Sequence, residues 1–98
     1  MKMMKKEIEK VVRELKEDCK TEFEDSNYED VVTDLYPYLK KINEISGLND
    51  NKKQDKVYEE LKDFCGEAFF YIYECMWADF NDSYIEKTVN KIEEILVD

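Results

Sequence analysis

The amino-acid sequence predicts an all-α protein that folds as an up-down-up-down four-helix bundle. Apolar residues recur every three or four positions over most of the 98 residues, and no strand-like alternation interrupts them. Hydrophobic residues form 43% of the chain, which argues against disorder even though 41% of the residues are charged. A chain of this length supports one core, so we expect residues 1–98 to form a single helical domain.

The first helix is predicted to begin near Met4 and to end near Asp25. One face carries its apolar residues in a 3-4 repeat: Ile8, Val11, Val12, Leu15, Cys19 and Phe23. Ser26 and Glu29 then form a capping box, in which the two side chains satisfy free backbone N–H groups at a helix start. The second helix is therefore expected from about Asn27.

The second helix contains the only proline of the chain, Pro37. Apolar spacing continues through this position to Ile45, so we expect one long helix that is kinked at the proline. Gly47 is predicted to close this helix in the left-handed conformation. Residues 48–55 form a polar segment rich in Asn, Asp and Lys, which is predicted to be a loop.

A long third helix is predicted from the end of this loop to about Asp79, and we expect most of it to be buried. Its core side contains Val57, Leu61, Phe64, Cys65, Ala68, Ile72, Cys75 and Met76. Ser83 and Glu86 form a second capping box, which predicts the start of the fourth helix. That helix places its apolar residues on one face: Ile85, Val89, Ile92 and Leu96.

The composition argues against most enzymes. The chain has no histidine, which removes the commonest general base and metal ligand. Its two isolated glycines cannot form a phosphate-binding loop. Cys19, Cys65 and Cys75 are too few for a closed zinc site and contain no CxxC motif, so we interpret them as reduced core residues of a cytoplasmic protein. We therefore expect no enzymatic activity, no cofactor and no bound metal.

The formal net charge of −10 opposes direct binding to nucleic acid or to an anionic membrane. The basic residues at the start are followed by Glu7 and Glu9 rather than by an apolar run, so no export signal is predicted. Residues 57–98 hold eleven acidic residues and three lysines. A partner selected by charge is therefore expected to be a basic protein.

Two carboxylate pairs are the catalytic material that remains. Glu14 with Glu17, and Glu60 with Asp63, have i,i+3 spacing, which places both carboxylates of a pair on one side of a helix, where they could bind Mg²⁺. The pairs resemble the ExxE and ExxD motifs of the all-helical MazG-like nucleotide pyrophosphatases, and this resemblance implies a Mg²⁺-dependent pyrophosphatase. It covers about eight residues, and Lys62 stands where that motif commonly has glycine. An acid-rich chain also contains such spacings by chance, so a solvated helix face is the competing interpretation.

The third helix has a second apolar side, opposite its core side. On a helical wheel this side is a stripe formed by Gly66, Phe70, Tyr73 and Trp77. Acidic residues flank the stripe: Glu59, Asp63, Glu67 and Glu74. Aromatic anchors beside carboxylates suit contact with a basic protein. Two other interpretations compete with this one: helices 1 and 4 cover this side, or it forms a homodimer interface.

A second concentration of acid is predicted at the corner between the first and second helices. It includes Glu22, Glu24, Asp25, Glu29 and Asp30. We expect these carboxylates to contribute to binding the same basic partner, by attraction to its positive surface. Acidic surfaces also serve solubility alone, which is the competing interpretation.

These features favour a small acidic binding protein that inhibits a basic, nucleic-acid-acting enzyme by occupying its positive cleft. In size, charge and helicity the chain is similar to toxin-immunity proteins as a class, and to phage-encoded anti-CRISPR or anti-restriction inhibitors that mimic DNA. A structural or regulatory homodimer is a third hypothesis. The MazG-like pyrophosphatase ranks last.

Overall fold

The computed structural model describes the backbone of residues 2–25, 34–47 and 49–97, and the side chains of residues 4–22, 34–47 and 49–97. Within these ranges the chain forms four α-helices and no strand: α1 (Lys2–Asp25), α2 (Tyr36–Ser46), α3 (Asn51–Tyr73) and α4 (Asp82–Val97). α1 contacts the other three helices, and α3 contacts both α2 and α4. The prediction of an all-α four-helix bundle is confirmed.

α1 buries the face that its 3-4 repeat predicted. The buried residues of this face are Ile8, Val11, Val12, Leu15 and Cys19. Phe23, the last residue of the predicted stripe, lies outside the described side chains. Because α1 contacts all of the other helices, its apolar face contributes to the core that the four helices share.

The expectation of a long second helix kinked at Pro37 is wrong, because α2 begins only at Tyr36. Pro37 lies in the first turn, where a backbone N–H has no partner within the helix, so the proline ring removes no hydrogen bond. At this start the Asp34 carboxylate accepts a hydrogen bond from the Tyr36 N–H at 3.1 Å. The predicted capping box of Ser26 and Glu29 lies outside the described residues.

Gly47 closes α2 as predicted, with a φ of 67° and its N–H bonded to the Asn43 carbonyl. The loop that follows is shorter than predicted, because Asp50 caps the start of α3. Its Oδ1 accepts hydrogen bonds from the backbone N–H groups of Lys52 at 2.9 Å and Lys53 at 3.3 Å. Residues 51–55, which were expected to be loop, are therefore helical.

α3 ends at Tyr73 rather than near Asp79, and a short 3₁₀ helix, Trp77–Asp79, follows. Cys75 and Met76 lie beyond the helix end and are exposed, so the prediction that they fill the core is wrong. The buried residues of α3 are Val57, Leu61, Phe64, Cys65 and Ala68. They occupy one side of the helix, so α3 is less buried than expected.

α4 begins at Asp82, and its cap is Asn81 rather than the predicted Ser83. The side-chain oxygen of Asn81 accepts hydrogen bonds from the Ser83 N–H, at 3.0 Å, and from the Ser83 hydroxyl. Leu96 packs against the core at the other end of the helix. The predicted apolar face is confirmed by the buried residues Ile85, Val89 and Ile92.

Phe80 is the centre of an aromatic cluster between α3 and α4, although it belongs to neither helix. Its side chain is 1% exposed. Its ring centroid lies 5.0–5.4 Å from those of Phe64, Tyr71, Trp77 and Tyr84. Helical periodicity missed this residue because it lies between helices. A sequence signal for its burial does exist, because Phe80 directly precedes the N-cap residue Asn81. An apolar residue at that position often packs against the first turns of the helix that follows.

Phe80→Ala is expected to lower the free energy of unfolding by about 3–5 kcal/mol, because it removes a buried ring from this cluster. Urea unfolding followed by circular dichroism measures the change. Met76→Ala is the control, because Met76 is 69% exposed and its truncation should change stability by less than about 0.5 kcal/mol. Equal losses in the two variants would contradict the central place of Phe80.

Gly47→Ala and Gly66→Ala are expected to change stability in opposite directions. Gly47 has a φ of 67°, where a Cβ costs about 1 kcal/mol or more. Gly66 lies inside α3 with no atom within 4 Å of an added Cβ. Alanine at Gly66 should therefore raise the free energy of unfolding by about 0.5–1 kcal/mol. Urea midpoints test both values, and a Gly66→Ala variant less stable than the parent would be inconsistent with them.

Candidate protein-binding surface

The side of α3 opposite its buried residues carries predicted aromatic and acidic residues. Phe70 is 50% exposed and Tyr73 is 45% exposed. This side also exposes Glu59, Asp63, Gly66, Glu67 and Glu74, the last of which caps the helix. We name these seven residues the α3 outer face. The competing expectation that helices 1 and 4 cover this side is wrong, because both aromatic rings are half exposed.

An open depression lies at Gly66 on the α3 outer face. Its volume is about 540 Å³, and its lining consists of Gly66, Phe69, Phe70, Tyr73 and Glu74. The missing side chain of Gly66 contributes this space, because no other group comes within 4 Å of where its Cβ would be. The depression has room for an apolar side chain of a partner, and its lining offers three aromatic rings and one carboxylate.

An open groove of about 750 Å³ between α3 and α4 adjoins this depression, since Gly66 and Phe70 line both. Its other apolar and aromatic lining comes from Phe64 and Tyr84. Charged residues line it from both helices: Glu60, Lys62, Asp63, Glu67, Lys87 and Lys91. All three carboxylates come from α3, whereas both charged groups from α4 are ammonium groups. The groove is therefore of mixed charge rather than uniformly negative.

The α3 outer face carries four carboxylates: Glu59, Asp63, Glu67 and Glu74. None of the four forms an ion pair within the described residues. Ion pairs occur instead around α1. Arg13 pairs with Glu9 at 3.2 Å and with Asp82 at 3.1 Å. Lys41 pairs with Glu14 at 2.8 Å. The hydrogen bond from Arg13 lowers the pKa of the Asp82 carboxyl. The outer-face carboxylates remain accessible to cationic groups of a partner.

Trp77 lies away from the α3 outer face, because α3 ends at Tyr73 and the helical wheel does not extend to it. Its half-buried ring lies 5.4 Å from the Phe80 ring, centroid to centroid. The Lys16 ammonium of α1 lies 5.5 Å from the Trp77 ring centroid, a cation–π distance. Trp77 therefore attaches the α3–α4 connection to α1. The prediction that it continues the stripe of Phe70 is wrong.

Most of the predicted acidic corner lies outside the described side chains. Glu24 and Asp25 belong to the last turn of α1, but only their backbone is described. Glu29 and Asp30 lie within residues 26–33, outside the described structure. Glu22 is described and is half-buried. The acidic corner therefore stays a prediction.

The carboxylate pairs that resemble those of MazG-like pyrophosphatases lie on different helices. Glu14 and Glu17 belong to α1, whereas Glu60 and Asp63 belong to α3. Glu14 forms an ion pair with Lys41. In the part of the chain that the structure describes, no three acidic or cysteine side chains come close enough to hold a metal ion. The fold does not bring the two pairs together into one site.

A tyrosine pair that no sequence pattern indicated lies beside the α3 outer face. The hydroxyl groups of Tyr71 on α3 and Tyr84 on α4 form a hydrogen bond. This hydrogen bond and desolvation raise the pKa of Tyr71 to about 12. The Phe70 ring contacts the Tyr71 ring edge-on, with centroids 5.7 Å apart. The tyrosine pair therefore supports one of the two exposed rings.

None of the described helices combines the length and apolar content that crossing a membrane requires. No protein-family model, curated protein or solved structure matches the chain. The chain is therefore classified by its fold and its surface, as a four-helix bundle with an exposed aromatic and acidic helix face.

Stability is expected to fall as the pH rises from about 10 to about 12, because folding raises the pKa of Tyr71 to about 12 from an unfolded value of about 10. The contribution of the hydrogen bond is complete below the unfolded pKa and is lost above the folded one. Urea unfolding across this range measures the loss, and NMR of the tyrosine Cζ carbons measures the pKa itself. Tyr84→Phe should return the pKa of Tyr71 toward about 10, whereas Tyr36→Phe on α2 should leave it unchanged. A pKa of Tyr71 that stays high in Tyr84→Phe would exclude the hydrogen bond as its cause.

Proposed function

We propose that this protein is a small acidic inhibitor that binds a basic, nucleic-acid-acting enzyme through the α3 outer face. One observation carries the proposal. Phe70 and Tyr73 are half exposed on a helix whose neighbouring carboxylates form no ion pair within the described residues. A toxin-neutralising immunity protein is the form of inhibitor that we favour.

The two exposed rings supply the apolar contact area of the proposed interface. Large aromatic anchors dominate protein interfaces, and truncating one that a partner fully desolvates typically costs about 2 kcal/mol or more. Both rings stand on regular helix, and Phe70 is supported by its contact with Tyr71. Little conformational entropy is lost when such preorganised groups bind.

The carboxylates of the α3 outer face supply attraction and orientation. Electrostatic steering raises the association rate with a positively charged partner, and this effect weakens with salt because the Debye length is only about 10 Å at 0.1 M. The net charge of −10 extends the attraction beyond the face itself. Binding to a basic enzyme should therefore be fast at low salt and slower at high salt.

A DNA-mimicking anti-CRISPR or anti-restriction inhibitor is the second candidate, which the net charge favours. Lys87 and Lys91 in the α3–α4 groove support the immunity-like form instead, since nucleic acid presents a backbone of negative charge alone. A homodimer through the same aromatic rings is the third candidate. A MazG-like pyrophosphatase ranks last, because its carboxylate pairs lie apart on two helices.

The test uses the tagged full chain as bait in lysate of its source cells, with elution by increasing salt and identification by mass spectrometry. We expect a basic nucleic-acid-acting enzyme, whose purified activity falls when the chain is added at equal concentration. Recovery of the chain alone, together with a dimer in sedimentation, would favour the homodimer. An enzyme that is captured but retains its activity would exclude inhibition.

Phe70→Ala and Tyr73→Ala are each expected to weaken binding to the captured enzyme by about tenfold or more. Tyr36→Ala is the matched control, because Tyr36 is an exposed tyrosine on α2 whose ring contacts Tyr58 in the first half of α3, whereas Phe70 and Tyr73 lie in its last turns. Gly66→Ala should also weaken binding, since its methyl group occupies the depression while the fold is kept. Calorimetric titration measures each dissociation constant. Equal effects of Tyr36→Ala and Phe70→Ala would place the interface elsewhere.

A further inference from the structure

Two cysteines from different helices contact each other inside the core. Cys19 of α1 is fully buried, and Cys65 of α3 is 5% exposed. Their Sγ atoms are 3.4 Å apart, and both are free thiols joined by a hydrogen bond. Any small apolar residue could fill either position, so packing alone does not require two sulfur atoms in contact. The pair is also separate from the α3 outer face and from the proposed function.

We propose that Cys19 and Cys65 form a site of reversible oxidation, at which peroxide converts the two thiols into an intramolecular disulfide bond. The Sγ atoms of a disulfide lie about 2.05 Å apart, so the two atoms have to approach each other by about 1.4 Å. Their contact shows that both side chains already point at each other across the α1–α3 interface. Side-chain rotation and a small helix adjustment supply the rest.

The reaction balances with hydrogen peroxide as its only co-reactant. The thiolate sulfur of Cys19 attacks one peroxide oxygen, the O–O bond breaks, and hydroxide leaves, which produces a sulfenic acid. The Cys65 sulfur then attacks the Cys19 sulfur, so that the Sγ–Sγ bond forms and water leaves. The two sulfurs together lose two electrons, and the peroxide is reduced to two water molecules. A dithiol reverses the reaction by thiol–disulfide exchange.

Burial determines how fast this site reacts. The hydrogen bond with Cys19 and the surrounding apolar groups raise the pKa of the Cys65 thiol well above its usual range. A thiol that keeps its proton is a poor nucleophile, and peroxide reaches the pair only when α1 and α3 separate locally. We therefore expect the exposed Cys75 to react first and the buried pair more slowly.

The disulfide bond would join α1 to α3 at Cys65, on the buried side of α3. The two cysteines are 46 positions apart in the chain, and all of α2 lies between them. A crosslink that closes so long a segment restricts the unfolded chain strongly. The oxidised protein should therefore resist unfolding more than the reduced protein.

The experiment uses the full chain with Cys75→Ser, which removes the exposed thiol and with it crosslinking between molecules. The protein is incubated with hydrogen peroxide, alkylated with iodoacetamide and analysed by intact mass and peptide mapping. We expect the loss of two hydrogen atoms, no alkylated cysteine and a linked peptide pair containing Cys19 and Cys65. We also expect the melting temperature to rise by about 10 °C or more, and dithiothreitol to reverse both changes.

Adding Cys19→Ala to this background gives the matched control, in which Cys65 has no partner and the melting temperature should not rise with peroxide. The unmodified chain provides a test without any core substitution, because the same linked peptides should appear in its digest. Any of three results would overturn the proposal. The first is that both cysteines can still be fully alkylated after peroxide treatment in mild urea. The second is that the pair gains oxygen without forming a crosslink, and the third is that the crosslinked chain has a lower melting temperature than the reduced chain.

Discussion

The packing of α3 against α4 depends on the buried side chain of Phe80. The ring comes from a non-helical segment and fills the space between α3 and α4, where it meets the rings of Phe64, Tyr71, Trp77 and Tyr84. A fully buried phenylalanine contributes about 1.5–3 kcal/mol. α3 ends at Tyr73, and the segment that follows it places the Phe80 ring in this position.

Because α3 ends at Tyr73, Trp77 has a different role from Phe70 and Tyr73. Trp77 turns inward and packs on Phe80 beneath the Lys16 ammonium. Phe70 and Tyr73 stay on the last turns of α3 and are half exposed. The proposed interface therefore consists of two rings and the carboxylates around them, rather than of a continuous aromatic stripe. A smaller apolar contact of this kind relies more on charge to select its partner.

Features that depend on neighbouring residues in the sequence were predictable, whereas features that depend on contacts between helices were not. The buried faces of α1 and α4 were predictable because a regular 3-4 repeat leaves one side of a helix apolar. The start of α2 was not, because Pro37 is compatible both with a kink inside a helix and with a first turn. Cys75 and Met76 keep helical spacing in the sequence, yet they lie beyond α3. The candidate surface was predictable in Phe70 and Tyr73, while the tyrosine pair beside it was not, because it joins two helices.

By itself, the sequence determined the helical class, the buried stripes of α1 and α4, the left-handed turn at Gly47, and the sign of any charge-selected partner. These properties depend on composition or on neighbours within one turn of helix. Only the tertiary structure decided that the second side of α3 is exposed, that Trp77 leaves it, and that Cys19 meets Cys65. Whether a helix face is covered depends on where the other helices pack, and no periodicity within one helix contains that information.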